Sequence, residues 1–347
     1  MIFIDGDIMK GWSIKSPLNI EQKEIDETIS QDGQIKVRLT KSMITLSDVL
    51  RFAGEIECKD VVLGSYGIGI VSETNPNLFG LEKGSRVYIE PSRECKECYN
   101  CKNNQPSKCS MLQIAGEDFD GFLSDFTSAL PEKLFILPEN VSDLEALFIE
   151  HISLAMAVID RLDIQKGDYV SIVGTQNFGI ILAQLLIYYQ AVPILMTLDE
   201  QEDYKIAKDS GIYYVLGPKD NWQKEVSNIT SGRMTDKVVY VSDCEIPTIK
   251  AFNVASHSAK IAYTGVSYKN NTISFMQAVK KQLDIKFINN GYGYTASSIN
   301  ILANKAINIS NLKLNKTTYE NVPQTLSNLN DDLLNERKIY ETVIEMI

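Results

Sequence analysis

Short apolar strands alternate with helical stretches through the second half of the chain. An apolar strand at 168–174 ends in glycine, a turn follows, and residues 180–189 have the pattern of an apolar helix. Further strands begin at Val192, Tyr213, Lys237, Lys260 and Asp284, with helical stretches such as 221–229 and 273–282 between them. This alternation predicts an α/β fold with a doubly wound parallel sheet.

The first half of the chain has weaker patterns, and these predict short strands. Residues 34–39 alternate between polar and apolar side chains, which is typical of a half-buried strand. A strand at 134–137 leads to a helix start at which Ser142 and Glu145 have capping-box spacing. We expect a helix over about 143–162 between two domains, a helix at 297–307 and a closing helix at 330–347.

Four cysteines lie within one short polar loop. Cys95, Cys98, Cys101 and Cys109 follow the spacing C-x2-C-x2-C-x7-C. Four thiolates close a tetrahedral site around Zn²⁺ and leave no position for water or substrate, so such a zinc is structural. The alternatives are a pair of disulfides or four unrelated thiols, but spacing this close favours one metal site.

The cysteine loop and its lead-in, Lys83-Gly-Ser-Arg-Val-Tyr-Ile-Glu-Pro91, resemble the structural-zinc lobe of the zinc-containing medium-chain dehydrogenases, the relatives of alcohol, sorbitol and threonine dehydrogenases. Ser85 replaces the usual aspartate of that lead-in. The resemblance runs from about residue 36 to the C-terminus. It implies a mainly β GroES-like catalytic domain at 1–150, with a zinc lobe at 91–111 and completion by 292–347, and a Rossmann dinucleotide-binding domain at 151–291.

The same resemblance places the catalytic-zinc ligands of the family at positions that hold other residues here. Thr45 occupies the place of the ligand cysteine, and Ser65 and Tyr66 replace the His-Glu that follows Gly64. A further acidic position is retained as Glu150. One carboxylate with hydroxyl groups is a poor Zn²⁺ site, so we expect no catalytic zinc.

The glycine turn at 174–179 is the expected dinucleotide site. A strand, a glycine-containing turn and a helix N-terminus together present backbone N–H groups to a pyrophosphate. Gly174 and Gly179 occupy the first and last places of G-x-G-x-x-G, while Gln176 replaces the middle glycine. The expected cofactor-binding residues are Gly174, Thr175, Gln176, Asn177, Phe178, Gly179, Thr197, Asp199, Ser242 and Gly265.

Cofactor choice depends on the second strand, where the fingerprint has an acidic residue that binds the ribose. Thr197 lies at that place by register, with Asp199 two residues further on. An uncharged residue tolerates a 2′-phosphate, so we expect NADP to bind at least as well as NAD. Lys205 and Lys208 can pair with such a phosphate, or they are solvated helix lysines.

Composition narrows the class of protein. The chain has 347 residues, enough for two domains, and its net charge of −11 argues against nucleic acid or an anionic membrane as a partner. The apolar run 179–196 contains Gln184, Gln190 and Pro193, so it fits a buried helix and strand better than a membrane span.

Thiolate metal ligands suit a reducing cytosol, and we expect a cytoplasmic homodimer or homotetramer with a small-molecule substrate.

Two main functions remain open from the sequence, beside a weaker third in which the chain is a structural oligomer subunit that partners an active paralogue. The first is an NAD(P)-dependent oxidoreductase without catalytic zinc, in which Thr45, Ser47, Tyr66 and Glu150 are the candidate catalytic residues. Ser47 holds the hydroxyl proton-relay place of the resembling family, and Tyr66 is either a proton donor or a packing group. The second is a degenerate relative that binds a nucleotide or a partner without a redox step, as the changes at 45, 65, 66 and 176 suggest.

Overall fold

The structure is a computed structural model that describes residues 9–25, 33–73, 80–197, 202–241, 248–265 and 273–346. The chain forms two units, one made of Met1–Phe148 and Leu314–Ile347 and the other of Ile149–Lys313. Asp199 and Ser242, two of the expected cofactor-binding residues, lie outside the described residues.

The described strands are, in chain order, β1 (Met9–Ser16), β2 (Asn19–Ile25), β3 (Ile35–Ile44), β4 (Gly67–Glu73), β5 (Arg86–Ile89), β6 (Ser92–Arg93), β7 (Gln113–Ile114), β8 (Phe126–Ala129), β9 (Leu134–Ile136), β10 (Tyr169–Val173), β11 (Val192–Met196), β12 (Tyr214–Leu216), β13 (Thr235–Val241), β14 (Ala255–Thr264), β15 (Asp284–Ile288), β16 (Asn315–Thr318) and β17 (Thr342–Glu345). The helices are α1 (Leu46–Ala53), α2 (Tyr99–Lys102), α3 (Asp143–Ala146), α4 (Ile149–Arg161), α5 (Gln176–Tyr188), α6 (Glu202–Asp209), α7 (Trp222–Ile229), α8 (Thr248–Val254), α9 (Phe275–Lys281), α10 (Thr295–Ala303) and α11 (Val322–Leu334).

The first unit is built on a mostly antiparallel sheet in the order β16-β17-β3-β4-β5-β9, with β8 also paired to β3. Alternate residues of β3, namely Ile35, Val37 and Leu39, are buried in one core cluster. This period of two is what one covered face of a sheet requires. Two smaller ribbons, β1-β2 and β6-β7, complete the described strands of this unit.

The second unit contains a parallel sheet in the order β12-β11-β10-β13-β14-β15. Counted within this unit the order is 3-2-1-4-5-6, the doubly wound Rossmann arrangement. The central strands carry runs of buried residues such as 170–173 and 193–196, because helices cover both faces of such a sheet. The expected α/β fold with a doubly wound parallel sheet is confirmed.

Several element boundaries differ from the sequence-based expectation. The contacts assign residues 292–313 to the second unit, since α10 packs on α4 and Ser298 is hydrogen-bonded to Ser153 at 2.8 Å. The expected helix over 143–162 is two helices, α3 and α4. The expected closing helix at 330–347 is wrong, because α11 ends at Leu334 and β17 pairs with β3.

Among the described residues, no helix is both long and apolar enough to cross a membrane. The apolar run that includes residues 179–196 is divided between α5 and the buried strand β11.

Candidate functional site

The four cysteines converge in a lobe that the β6-β7 ribbon supports. Cys98 precedes α2, Cys101 lies within it, and Cys109 follows the 3₁₀ turn at Pro106–Lys108. The four Sγ atoms all lie within 4.8 Å of one another, and the thiols are free rather than disulfide-bonded. The two alternatives to a single metal site are thereby excluded for these residues.

The sulfur spacing fits a tetrahedral zinc. The Sγ–Sγ distances are 3.5 Å for Cys95–Cys109, 3.6 Å for Cys98–Cys101, and 3.9 Å for Cys95–Cys101 and for Cys98–Cys109. Zn–S bonds of about 2.3 Å in a tetrahedron place the sulfurs about 3.8 Å apart. Backbone N–H groups also point at the sulfurs, with Cys98 N 3.3 Å from Cys95 Sγ. The cluster therefore fits one structural zinc.

Hydrogen bonds favour thiolate at one of these ligands. Backbone N–H groups of Cys101 and Ser110 lower the pKa of the Cys98 thiol to about 5, whereas burial and hydrogen bonds with Cys98 and Cys109 raise the pKa of the Cys101 thiol to about 12. Hydrogen bonds to the charged form of a group stabilise that form. Because zinc binds the thiolate rather than the thiol, this arrangement suits a metal ligand.

The loop that carries Thr45 is held by Asp48, which is fully buried at the start of α1. Its carboxylate accepts hydrogen bonds from Thr45 N and Thr45 Oγ1, both at 2.9 Å, and from Gly64 N at 3.4 Å. Thr45 is thus the N-cap residue of α1, and Asp48 is the capping-box partner that accepts from its backbone N–H. The spacing Thr45-x-x-Asp48 is that of an N-terminal capping pair, a signal in the sequence that could have identified Asp48.

The second predicted catalytic segment, 64–66, lies beside this loop. Ser65 Oγ donates to the carbonyl of Ala115 at 2.8 Å, and Ser42 Oγ donates to the carbonyl of Tyr66 at 2.9 Å. Tyr66 and Ser47 are both half-buried. The structure brings Thr45 and Gly64 together through Asp48. Within the first unit, Thr45 and Gly64 therefore share one hydrogen-bond acceptor, the Asp48 carboxylate.

Glu150, the remaining candidate catalytic residue, belongs to the second unit. It lies in the first turn of α4 and is 9% exposed. A carboxylate there is stabilised by the positive end of the helix dipole.

The glycine turn has the backbone geometry that the fingerprint predicts at its two ends. Gly174 has φ +107° and connects β10 to α5. A Cβ on Gly179 would lie 2.7 Å from the carbonyl oxygen of Gly174, so this glycine lets the helix pack closely on the turn. At the middle position Gln176 adopts φ +22°, which is uncommon for a residue with a side chain.

Three polar side chains that the sequence assigns to the cofactor site have hydrogen-bond partners within the protein. Thr175 Oγ1 donates to Asp203 at 2.7 Å, and the Asn177 amide exchanges two hydrogen bonds with the backbone of Lys313. Thr197 has no exposed surface and donates to the carbonyl of Leu216 at 3.2 Å. Phe178 is buried, while Gly265, with φ +95°, is exposed at the end of β14.

Of the two lysines considered for a 2′-phosphate, Lys208 has its own contacts. It donates to the carbonyl of Tyr213, and its ammonium lies 5.4 Å from the centre of the Tyr204 ring. These contacts favour the reading of Lys208 as a structural surface lysine.

A buried ion-pair network at the base of the lobe is a second feature that sequence reasoning missed. Lys133 Nζ lies 2.7 Å from Glu90 Oε1, 2.6 Å from Glu94 Oε1 and 3.0 Å from Ser92 Oγ. Burial lowers the pKa of Lys133, but the two carboxylates outweigh burial and raise it. The sequence shows only two acidic residues and a distant lysine.

Comparisons with known proteins agree with this architecture. Residues 31–139 match the alcohol dehydrogenase GroES-like domain. An uncharacterized zinc-type alcohol dehydrogenase-like protein of Haemophilus influenzae is 26% identical over 335 residues, covering 95% of this chain and 98% of that protein. L-idonate 5-dehydrogenase of Vitis vinifera is 27% identical over 263 residues, covering 72% of each chain.

Solved structures share the whole fold. RspB of Escherichia coli, an alcohol dehydrogenase complexed with NADH, has a TM-score of 0.83 at 22% identity and covers 98% of this chain and 100% of its own. A zinc-binding dehydrogenase of Sinorhizobium meliloti bound to NADP has a TM-score of 0.85 at 17% identity, with the same coverage. With its match to the GroES-like domain, its doubly wound parallel sheet and its four-cysteine lobe, the chain is similar over almost its whole length to zinc-type alcohol dehydrogenase-like proteins.

Proposed function

We propose that the protein is an NAD(P)-dependent oxidoreductase that acts on a small carbonyl, alcohol or enone substrate without a catalytic zinc. One observation carries the proposal: hydroxyl side chains occupy positions 45, 65 and 66, and those of Thr45 and Ser65 donate hydrogen bonds to protein acceptors. A hydroxyl group that already donates a hydrogen bond to a protein acceptor is a poor zinc ligand in comparison with thiolate or imidazole. Within the described part of the chain, the cysteine lobe is the only cluster of metal-ligating side chains.

The backbone of the glycine turn is suited to bind a nicotinamide dinucleotide. Gly174 and Gly179 retain the close approach of strand and helix, and the N-terminus of α5 provides N–H groups for a pyrophosphate. When bound, this cofactor supplies or accepts the hydride. The buried side chain of Thr197 removes the reason to expect a preference for NADP, so we propose that either dinucleotide binds.

Hydroxyl groups of the protein would take the place of zinc in polarising the carbonyl group of the substrate. Reduction of a carbonyl places negative charge on its oxygen, and a positioned donor stabilises that charge and delivers the proton. We propose Ser47 and Tyr66 for these tasks and Glu150 as a further acid or base. Thr45, in contrast, would position the loop through Asp48.

Replacement of the phenol hydroxyl tests this chemistry. Tyr66→Phe should lower turnover by about 10²–10⁴-fold, the usual contribution of a general acid, while dinucleotide affinity changes little. Tyr99→Phe, on the exposed side of the lobe, is the matched control and should keep full activity. Turnover of aldehydes, ketones and enones is followed by NAD(P)H absorbance, and unchanged activity in Tyr66→Phe would assign the phenol to packing.

A second candidate is a degenerate relative that binds without turnover. The side chains of Thr175 and Asn177 are occupied by Asp203 and Lys313 rather than left for a ligand, and Gln176 replaces the middle glycine. Fluorescence titration with NADH and NADPH separates the candidates. A protein that binds neither dinucleotide is not a hydride-transfer enzyme, and binding without turnover of any tested substrate supports the second candidate.

We further propose a homodimer in the cytoplasm, where thiolate ligands stay reduced. The contact would be the exposed apolar face, defined as Phe275, Met276 and Val279 of α9 and Phe287 of β15. These side chains are 78%, 79%, 76% and 70% exposed. Large apolar side chains that are exposed to this extent mark interaction surfaces where they form a contiguous patch.

A further inference from the structure

The base of the zinc lobe is fastened to the sheet by a buried charge network. Strand β5 pairs with β9, and this ladder continues as Glu90 N donates to the carbonyl of Lys133 at 2.9 Å. The backbone register therefore sets Lys133 beside Glu90. Side-chain exposure is only 11% for Lys133, 7% for Glu90 and 12% for Glu94.

The network leads directly to the first metal ligand. Glu94 precedes Cys95 in the chain, and Ser92, which is 1% exposed, donates to Glu90 Oε1 at 3.0 Å. Lys133 thus ties both ends of the 90–94 segment to one point. Lys133 is the ammonium that lies within hydrogen-bond distance of both carboxylates, so its charge opposes their mutual repulsion.

We propose that Lys133 is a positioning residue of the zinc lobe, which fixes the 90–94 segment and thereby sets how slowly Cys95 and its partner cysteines release the metal. Without the ammonium, the two buried carboxylates would lose the positive charge that compensates them, a state that proteins tolerate poorly. The segment would move to hydrate Glu90 and Glu94 and would carry Cys95 out of its ligand position. Residues that orient metal ligands typically change metal affinity by about 10–100-fold when lost.

The test is the rate at which zinc passes from purified protein to an excess of a colorimetric chelator. Wild-type protein should hold about one equivalent of zinc and release it slowly. Lys133→Met should release it at least about tenfold faster with all four cysteines intact. The matched control is Lys96→Met, which removes the exposed ion pair of Lys96 and Glu132 (2.9 Å) in the same lobe and should stay within about twofold, since exposed pairs contribute little.

A charge-neutral network distinguishes positioning from loss of packing. Glu90→Gln and Glu94→Gln combined with Lys133→Met should return the release rate toward that of wild type, and this variant also serves if Lys133→Met alone does not fold. Wild-type release from Lys133→Met, fast release that persists in the neutral triple variant, or a wild-type protein without zinc would each overturn the proposal. The readout is metal release, so the result does not depend on dehydrogenase activity.

Discussion

At the scale of single residues, backbone contacts around Gly64 determine what the predicted catalytic segment tolerates. Gly64 adopts φ +92°, and Gly116 and Gly121 pack against its backbone. Phe122 N donates to the carbonyl of Gly64 at 2.9 Å. The segment leading to Tyr66 is therefore held by main-chain contacts that only glycines permit at this distance.

Gly121→Ala should destabilise the protein strongly. The new Cβ would lie 2.2 Å from Gly64 O and 2.6 Å from Leu63 O, and backbone atoms cannot yield as a flexible side chain can. We expect a loss of about 3 kcal/mol in the free energy of unfolding, at the upper end for overpacking. The control is Gly167→Ala, which has open space but φ +81° and should lose about 1 kcal/mol. Equal losses in chemical unfolding would show that the contact relaxes easily.

Sequence patterns predicted the metal-binding cysteines but not the partners of the polar residues near the glycine turn, and the difference has a physical reason. The four cysteines were predictable because a metal site uses local spacing. The partners of Thr175, Thr197 and Asn177 are distant in sequence, and a polar residue near a glycine turn can face either a ligand or the protein. Their assignment to the cofactor therefore remains a prediction from position, beside the protein contacts that the structure shows.

At the scale of elements, α5 anchors a distant backbone segment of its own unit. Asn177 and Gln184, seven residues apart on this helix, each exchange two hydrogen bonds with a backbone segment, at Lys313 and at Asn308 respectively. These four hydrogen bonds hold the backbone of the segment 308–313 alongside the helix. Both amides are mostly buried, so both hydrogen-bonding functions of each amide are used.

Asn177→Ala should therefore reduce stability by about 1–3 kcal/mol, because it leaves backbone groups of Lys313 without their partner. Asn304→Ala removes an exposed amide bonded to Asn300 O and should change stability by less than about 0.5 kcal/mol. Thermal unfolding measures the stability of both variants, and NADH titration measures their dinucleotide affinity. A large loss of dinucleotide affinity at unchanged stability would instead favour the cofactor-binding role.

Element prediction succeeded where patterns are local and failed where pairing is distant. The capping box at Ser142 and Glu145 is confirmed, with Glu145 N 3.2 Å from Ser142 Oγ, because both partners lie within one turn. The C-terminal strand β17 was missed, since it pairs with a strand about three hundred residues earlier, Val343 with Met43 and Ile344 with Ser42. Short apolar runs do not distinguish a strand from a helix when the partner is unknown.

At the scale of the whole molecule, the exposed apolar face lies at one end of the described Rossmann sheet. The sheet order places β15 last, so its outer backbone groups offer hydrogen bonds to a further strand. The Phe287 ring stacks on Tyr263 at 5.5 Å between ring centres. This support from the core holds an exposed ring in place and suits it to a contact.

Val279→Asp should convert the proposed dimer into a monomer. Val279 is 76% exposed in the middle of α9, so the substitution leaves the core intact and places a charge in the contact, where burial without a partner is costly. Leu334→Asp changes an equally exposed apolar residue at the end of α11 and should leave the assembly unchanged. Sedimentation velocity at fixed protein concentration measures both. If wild type is a monomer, or if Val279→Asp keeps the wild-type mass while Leu334→Asp loses it, the face on α9 and β15 is not the contact.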